Sequence, residues 1–271
     1  MNFPVFDQYL PFLNRFILEL VEGYREGKID SWDALDEKVK SFFTPERMEQ
    51  METLVPGWQK MSSYSDGVTR THLMCVFLGV YMMPEFQALT PEGQQIAKWF
   101  VLFHDLDKFH IAGKKDPMHA FRSAALTAPG LARFGFPVTE KYHELINSWR
   151  ELTFHACITR DGESAPKPDN RKLPEILYGL DRLFGENAPA TLITKTVLFH
   201  ISLDVDPNYL TPALLTEAEI KRYIDPALFP LLKVMMLGDN EGWAMFEPEG
   251  RKRLYDLTVA AFQKFEKLIV T

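Results

Sequence analysis

Histidine and aspartate side chains interrupt several apolar segments of this chain. The clearest case is the string Phe100-Val-Leu-Phe-His-Asp-Leu-Asp-Lys108, in which His104 and Asp105 follow four apolar residues. A buried carboxylate is costly unless a cation, a metal ion or several hydrogen bonds compensate its charge. Imidazole nitrogen beside carboxylate oxygen suits Zn, Fe or Mn. Lys108, four residues after His104 on the same helix face, is placed to contact an anionic substrate held on that metal.

Four further polar residues lie on apolar segments: His72, His119, His200 and Asp239. Each of them alone is compatible with a hydrogen-bonded core residue or a helix cap. Together with the His104-Asp105 pair they are better explained by one metal centre shared between helices, which would satisfy them all. We therefore predict a site for one or two divalent ions, with Mn, Fe, Zn, Co and Mg as candidates.

The elements that must position these residues are predicted to be helices. Apolar residues recur at intervals of three and four, and strand-like alternation is nearly absent. Helix starts are indicated by Ser31, by Thr44-Pro45 and by Thr90-Pro91. We predict an all-α fold with a helix over residues 139–158, followed by an exposed loop over residues 159–172 that lacks any apolar period.

The chain offers no convincing domain boundary. Residues 1–60 are predicted to be an N-terminal helical extension packed on a core formed by residues 61–271, which carries the metal-binding residues. The longest apolar run, Leu73–Met83, is about half as long as a bilayer span requires. We therefore expect no membrane-spanning segment.

Composition limits the kind of partner. The net charge is −7 and the isoelectric point is about 5.6, which argues against an extended nucleic-acid-binding surface. A small phosphorylated substrate needs only local positive charge or a metal ion. Cys75 and Cys157 lie in apolar runs and match no metal-ligand spacing, so we expect reduced thiols in a cytoplasmic protein. We expect the protein to be a monomer or a homodimer.

The order of these residues resembles the H…HD…D pattern of the HD superfamily of metal-dependent phosphohydrolases, here as His72, His104-Asp105 and Asp239. The string from His104 to Lys108 is similar to the HDxGK string of that family, although Asp107 stands where a small residue is usual. The segment His119-Ala-Phe-Arg-Ser-Ala124 is similar to its HxxxSA helix. The resemblance covers residues 69–242 and extends to the HD domains attached to bacterial tRNA nucleotidyltransferases, without their nucleotidyltransferase head.

This resemblance implies an HD-domain-like helical bundle with a defined ligand set. The implied first metal ion is held by His72, His104, Asp105 and Asp239, with Asp105 as a bridge to a second site. The residues implied at the second metal ion or the phosphate are His119 and His200, with His155 as a rival. The arginines that suit phosphate oxygens by bidentate contact are Arg70, Arg122 and Arg222.

The ligand set indicates hydrolysis of a phosphomonoester or phosphodiester by a metal-activated water, with Asp105, Lys108 and His119 as the catalytic residues. The family resemblance implies that the substrate is a nucleotide. Two alternatives remain open. The first is a diiron oxygenase of the myo-inositol oxygenase type, whose site of four histidines and two aspartates this chain can also supply. The second is an HD-like ligand-binding module without catalytic activity.

Overall fold

The computed structural model describes residues 1–63, 68–108, 116, 118–153, 157–160, 163–166, 170–205 and 215–270. Within these ranges the chain forms fifteen α-helices and one two-stranded sheet, which confirms the predicted all-α class. The helices are α1 (Phe6–Tyr9), α2 (Pro11–Arg25), α3 (Trp32–Phe42), α4 (Pro45–Leu54), α5 (Trp58–Ser63), α6 (Val68–Met82), α7 (Pro84–Gln87), α8 (Pro91–Phe103), α9 (His119–Arg133), α10 (His143–Thr153), α11 (Leu173–Phe184), α12 (Pro189–Phe199), α13 (Glu217–Tyr223), α14 (Phe229–Ala244) and α15 (Pro248–Val270).

The predicted helix starts are confirmed by side-chain caps. The Ser31 hydroxyl accepts a hydrogen bond from the Ala34 backbone N–H at the start of α3. Thr44 and Thr90 cap α4 and α8 in the same way, each followed by a proline at the first helical position. These caps satisfy N–H groups that have no partner inside the helix. Short polar sequences therefore set where these helices begin.

Five helices form the part of the bundle that carries the chemistry-bearing residues. α6 packs along α14, α12 packs against α8 and α9, and α14 also contacts α8. Gly79 and Gly238 allow the close approach of α6 and α14, because a Cβ at either would lie within 2.5 Å of a side-chain atom of the other helix. Two helices without side chains at the crossing can approach more closely than helices with bulky residues there.

The N-terminal residues are attached to α8 by polar contacts. The Phe6 backbone N–H donates to Gln95 Oε1 at 3.0 Å, and Trp99 Nε1 donates to the Pro4 carbonyl at 3.0 Å. The Lys98 ammonium lies 2.7 Å from Asp7 Oδ1. Further along, α2 and α3 pack against α6. The segment predicted as an extension therefore contacts two of the helices that form the metal-binding region.

The loop prediction for residues 159–172 was wrong in part. Cys157–Arg160 and Glu163–Pro166 form the antiparallel strands β1 and β2, and Asn170–Lys172 forms a 3-10 turn. α10 ends at Thr153, so the predicted helix does not reach Ile158. Cys157–Arg160 pairs with Glu163–Pro166 across the two strands, so these residues form strand hydrogen bonds instead of extending α10. Among the described residues, no helix is both long and apolar enough to cross a membrane.

Candidate metal centre

Each of five helices brings polar residues to one cluster in the middle of the protein. His72 lies in α6, and Asp239 lies in α14. His104 is the C-cap of α8 and is followed by Asp105, His119 is the first residue of α9, and His200 is the C-cap of α12. α14 continues past Asp239 to Ala244. The helix therefore fixes the direction of the Asp239 side chain.

The first group consists of His72, His104 and Asp239, each of which offers one ligand atom within 4.8 Å of the other two. His72 Nε2 lies 3.0 Å from Asp239 Oδ1, and His104 Nε2 lies 3.8 Å from the same oxygen. Two imidazoles and one carboxylate are a common ligand set for divalent metal ions. These three residues could therefore hold one ion.

The second group consists of Asp105, His119 and His200, with the same spacing of ligand atoms. His119 Nε2 lies 3.2 Å from Asp105 Oδ1 and 3.1 Å from His200 Nε2. His200 Nε2 is 3.8 Å from the same Asp105 oxygen. This group could hold a second ion, with the same two kinds of donor atom as the first.

Asp105 lies between the two groups. Its Oδ1 faces His119 and His200, while its Oδ2 lies 3.5 Å from His72 Nε2 and 3.6 Å from His104 Nε2. Lys108 Nζ lies 2.7 Å from the same Oδ2. One carboxylate therefore contacts both candidate sites and a cation, which is the placement expected of a bridging ligand.

Backbone carbonyls orient three of the four imidazoles. Nδ1 of His104, His119 and His200 lies 2.7, 2.5 and 2.7 Å from the carbonyl oxygen three residues earlier in each case. A carbonyl can only accept, so Nδ1 carries the proton and Nε2 keeps its lone pair. All three lone pairs then point into the cluster, as in metal sites where a second hydrogen bond fixes the ligand tautomer.

Several of these acceptors lack the donor that burial would require. Among the described residues, His104 Nε2 and Asp105 Oδ1 are buried without a hydrogen bond. The lone pairs of His119 and His200 face each other across 3.1 Å. Buried acceptors without donors are costly, whereas two nitrogens about 2.1 Å from one ion are themselves about 3 Å apart when at right angles. The residues present fit divalent metal ions.

The ionisation of the cluster also suits a metal ion, because ligands must be deprotonated to bind. Burial lowers the pKa of His104, and burial together with His119 and His104 lowers the pKa of His200 to about 3. Burial alone would raise the pKa of Asp105, but the Lys108 ammonium beside it holds that pKa well below its usual range. These groups are therefore two neutral imidazoles and a carboxylate at neutral pH.

The other predicted site residues have different surroundings. Arg70 lies against the Phe43 ring, 5.4 Å from its centroid, and its Nη1 is 3.3 Å from Met48 Sδ. Arg122 forms an ion pair with Asp116 and donates to the Asp107 carbonyl. Arg222 is exposed on α13, with its guanidinium 5.6 Å from the Tyr223 ring centroid. His155 lies outside the described residues. Phosphate binding by the three arginines stays a prediction.

Sequence reasoning missed two residues that contact the cluster. The Trp243 ring stacks on His72 with centroids 4.2 Å apart, and Gly242 leaves the space that the His72 ring occupies. The missed signal is the spacing of four between Asp239 and Trp243, which places both on one face of a continuous helix. This relation depends on the continuation of the helix past Asp239.

Replacing His200 by alanine is expected to remove one metal ion and retain the other. His200 belongs to the second group only, while the ligands of the first group lie on other helices. Metal content per chain, measured by elemental analysis of the wild-type protein and of the variant, checks this expectation. Retention of both ions would instead favour His155 as the second-site ligand.

Comparisons of this chain with protein-family models, with curated proteins and with solved structures find no match. The resemblance to the HD superfamily therefore depends on the residues quoted for it. The candidate metal centre depends on its own geometry, burial and hydrogen bonding.

Proposed function

We propose that this protein is a metal-dependent phosphohydrolase that cleaves a phosphomonoester or phosphodiester, with a nucleotide as the expected substrate. The observation that carries the proposal is the position of Asp105 between two groups of metal-binding residues, with Lys108 against the same carboxylate. Paired ions joined by a carboxylate are a recurrent arrangement in enzymes of phosphate-ester hydrolysis.

His72, His104 and Asp239 would hold one ion, and Asp105, His119 and His200 would hold the other. Divalent metal ions in such a site supply Lewis-acid chemistry: they lower the pKa of water and neutralise phosphate oxygens. The chain itself keeps the site rigid, because three imidazoles are fixed by backbone carbonyls that belong to their own helix ends. A preorganised ligand shell loses little energy to rearrangement during the reaction.

Lys108 places a positive charge at the partly exposed edge of the metal-binding cluster. Its ammonium lies 2.7 Å from Asp105 Oδ2, yet about a quarter of its side chain is exposed. An ammonium so placed attracts an anionic phosphate towards the buried carboxylate without being a metal ligand itself. If no second ion is bound, His119, whose Nε2 is directed at Asp105, would be the other residue placed to contact the phosphate.

Burial of the cluster favours access from one side. His72, His104 and Asp105 are fully buried, whereas Asp239 and Lys108 expose 22% and 23% of their side chains. A substrate would therefore approach past Asp239 and Lys108. Low water content at the buried ligands strengthens their electrostatic contacts.

The proposal is tested by measuring metal content and ester hydrolysis together. The full chain, purified without a metal-chelating tag, is expected to contain one or two ions of Mn, Fe, Zn or Co. It should then hydrolyse at least one phosphomonoester or phosphodiester in a set of nucleotides, cyclic nucleotides, sugar phosphates and aryl phosphates, and lose that activity with a chelator. A protein that stays metal-free after reconstitution, or that is metal-loaded but hydrolyses none of these esters, contradicts the proposal.

One observation favours a second candidate, a diiron oxygenase. The two groups together consist of four histidines and two aspartates, the set expected for an oxygenase of the myo-inositol oxygenase type. Oxygen consumption by protein containing two iron ions, without phosphate release, would favour this candidate. Metal binding with neither activity would favour a ligand-binding module.

A further inference from the structure

Trp243 is an exposed tryptophan at the edge of the metal centre. About 52% of its surface is accessible to solvent, in contrast to Trp58, Trp99 and Trp149, which are fully buried. Tryptophan has a large apolar ring system that usually packs in a core or binds a partner. A ring left this exposed has an unused aromatic surface.

The ring is connected to the metal-binding residues on more than one side. It stacks on the His72 imidazole at 4.2 Å with an interplanar angle of 24°. Lys108 Nζ lies 5.5 Å from the Trp243 ring centroid and 2.7 Å from Asp105. Trp243 also follows Asp239 by four residues in α14, so both side chains lie on the same helix face. An aromatic surface, a cation and the exposed metal-binding carboxylate therefore lie side by side.

A second tryptophan comes from the N-terminal segment. Trp32, the first residue of α3, has its ring parallel to that of Trp243 within 7°, with centroids 6.3 Å apart. The Ser31 cap sets the start of α3 and therefore the position of Trp32 in it. α3 packs against α6, the helix that carries His72. The segment over residues 1–60 thus contributes an aromatic side chain next to the metal centre.

We propose that Trp243, supported by Trp32, is the platform on which the planar aromatic group of the substrate stacks while its phosphate lies at Lys108 and the metal centre. The chemical class implied is a phosphate ester of a planar aromatic group, either a nucleobase or an aryl group. This inference rests on the proposed function for the role of the phosphate. The aromatic contact itself needs no hydrolysis, because every base or aryl ring offers a face that can stack.

The test uses the full chain loaded with Mn²⁺ and the substitution Trp243→Leu. Leucine keeps an apolar side chain against His72 but removes the aromatic face, and the exposed position should tolerate it. Tyr178→Ala is the control, because Tyr178 is another exposed aromatic residue, 63% accessible, and lies on α11. Metal content is measured for every variant, because a substitution that displaced the His72 ring would lower it.

Binding is followed first with adenosine, which carries no phosphate. Since three of the five tryptophans are fully buried, fluorescence quenching by a stacked base would come from Trp243 and Trp32. We expect quenching in the wild-type protein and in Tyr178→Ala. Because Trp243→Leu removes the main reporter, adenosine binding to all three proteins is also measured by equilibrium dialysis, and we expect it to be lost in Trp243→Leu alone at equal metal content. The absence of quenching in the wild-type protein would overturn the platform.

Kinetics then separate stacking from support of His72. For adenosine 5′-monophosphate the KM of Trp243→Leu should rise about tenfold, which corresponds to about 1.4 kcal/mol, while the KM for ribose 5-phosphate stays unchanged. Phenyl phosphate, measured in parallel, identifies the planar group as an aryl ring if its KM depends more strongly on Trp243. An equal rise for adenosine 5′-monophosphate and ribose 5-phosphate would overturn the platform and leave Trp243 as a packing residue of His72.

The two proposals fail in different ways. If adenosine quenches fluorescence through Trp243 but no ester is hydrolysed, the platform stands and the phosphohydrolase proposal falls. If esters are hydrolysed equally with and without a planar group and adenosine does not quench, the platform falls and the phosphohydrolase proposal stands.

Discussion

An Asp105→Asn variant is expected to bind metal at least about 100-fold more weakly than the wild-type protein and to lose hydrolysis with it. Removal of a residue that only supports a ligand already costs about 10–100-fold in metal affinity, and Asp105 faces both groups of ligands directly. Asparagine has the same shape but replaces one carboxylate oxygen by an NH₂ group. That group donates hydrogen bonds and cannot bind a metal ion.

The helix content of this variant should stay unchanged, because the substitution preserves volume and Asp105 lies just beyond the end of α8. Circular dichroism and elemental analysis of the same sample check both expectations. Asp107→Asn is the matched control: Asp107 lies two residues further on and pairs with Lys60 at 3.0 Å. Normal metal content in Asp105→Asn, or an equal loss in both variants, would contradict the bridging role of Asp105.

The sequence allowed the all-α class and the members of the cluster to be predicted for the same physical reason. Polar residues that can bind metal were conspicuous because they interrupt apolar helical segments, as at His104 and His200. The structure buries both residues and directs their Nε2 atoms inward. Helix caps such as Ser31 and Thr90 were predictable because capping is a local interaction between neighbouring residues.

The directions of the side chains within the cluster depend on tertiary packing. The resemblance implied Asp105 as a ligand of the first ion and a bridge to a second site, but not that its Oδ1 lies with His119 and His200 while its Oδ2 approaches the first group. The direction of a carboxylate after a helix end is set by its neighbours, here Lys108 and His119. Trp243 was missed for a related reason, because only the continuous α14 places it beside Asp239 and His72.

A Gly242→Ala substitution is expected to destabilise the protein and weaken metal binding. A Cβ at this position would lie 2.5 Å from His72 Cε1, 2.6 Å from His72 Nδ1 and 2.6 Å from Val76 Cγ2. Overpacking of this kind costs about 1–3 kcal/mol, against a gain of at most about 1 kcal/mol from the better helix propensity of alanine. The His72 ring also stacks on Trp243 and lies 3.0 Å from Asp239. A shift of the ring away from the added methyl group would therefore disturb both contacts.

Gly250→Ala is the matched control, because the same substitution in α15 meets no atom closer than Glu247 Oε2 at 3.5 Å. Its free energy of unfolding should stay the same or rise by less than about 1 kcal/mol. Urea denaturation of both variants measures the loss of stability, and elemental analysis of both measures the loss of metal. Because Gly242→Ala changes neither charge nor a ligand, loss of metal in this variant alone would show that the metal centre requires the His72 ring in its present position. Wild-type metal content in Gly242→Ala would mean that His72 can shift without loss of the ion, and the close contact between α6 and α14 would then serve stability alone.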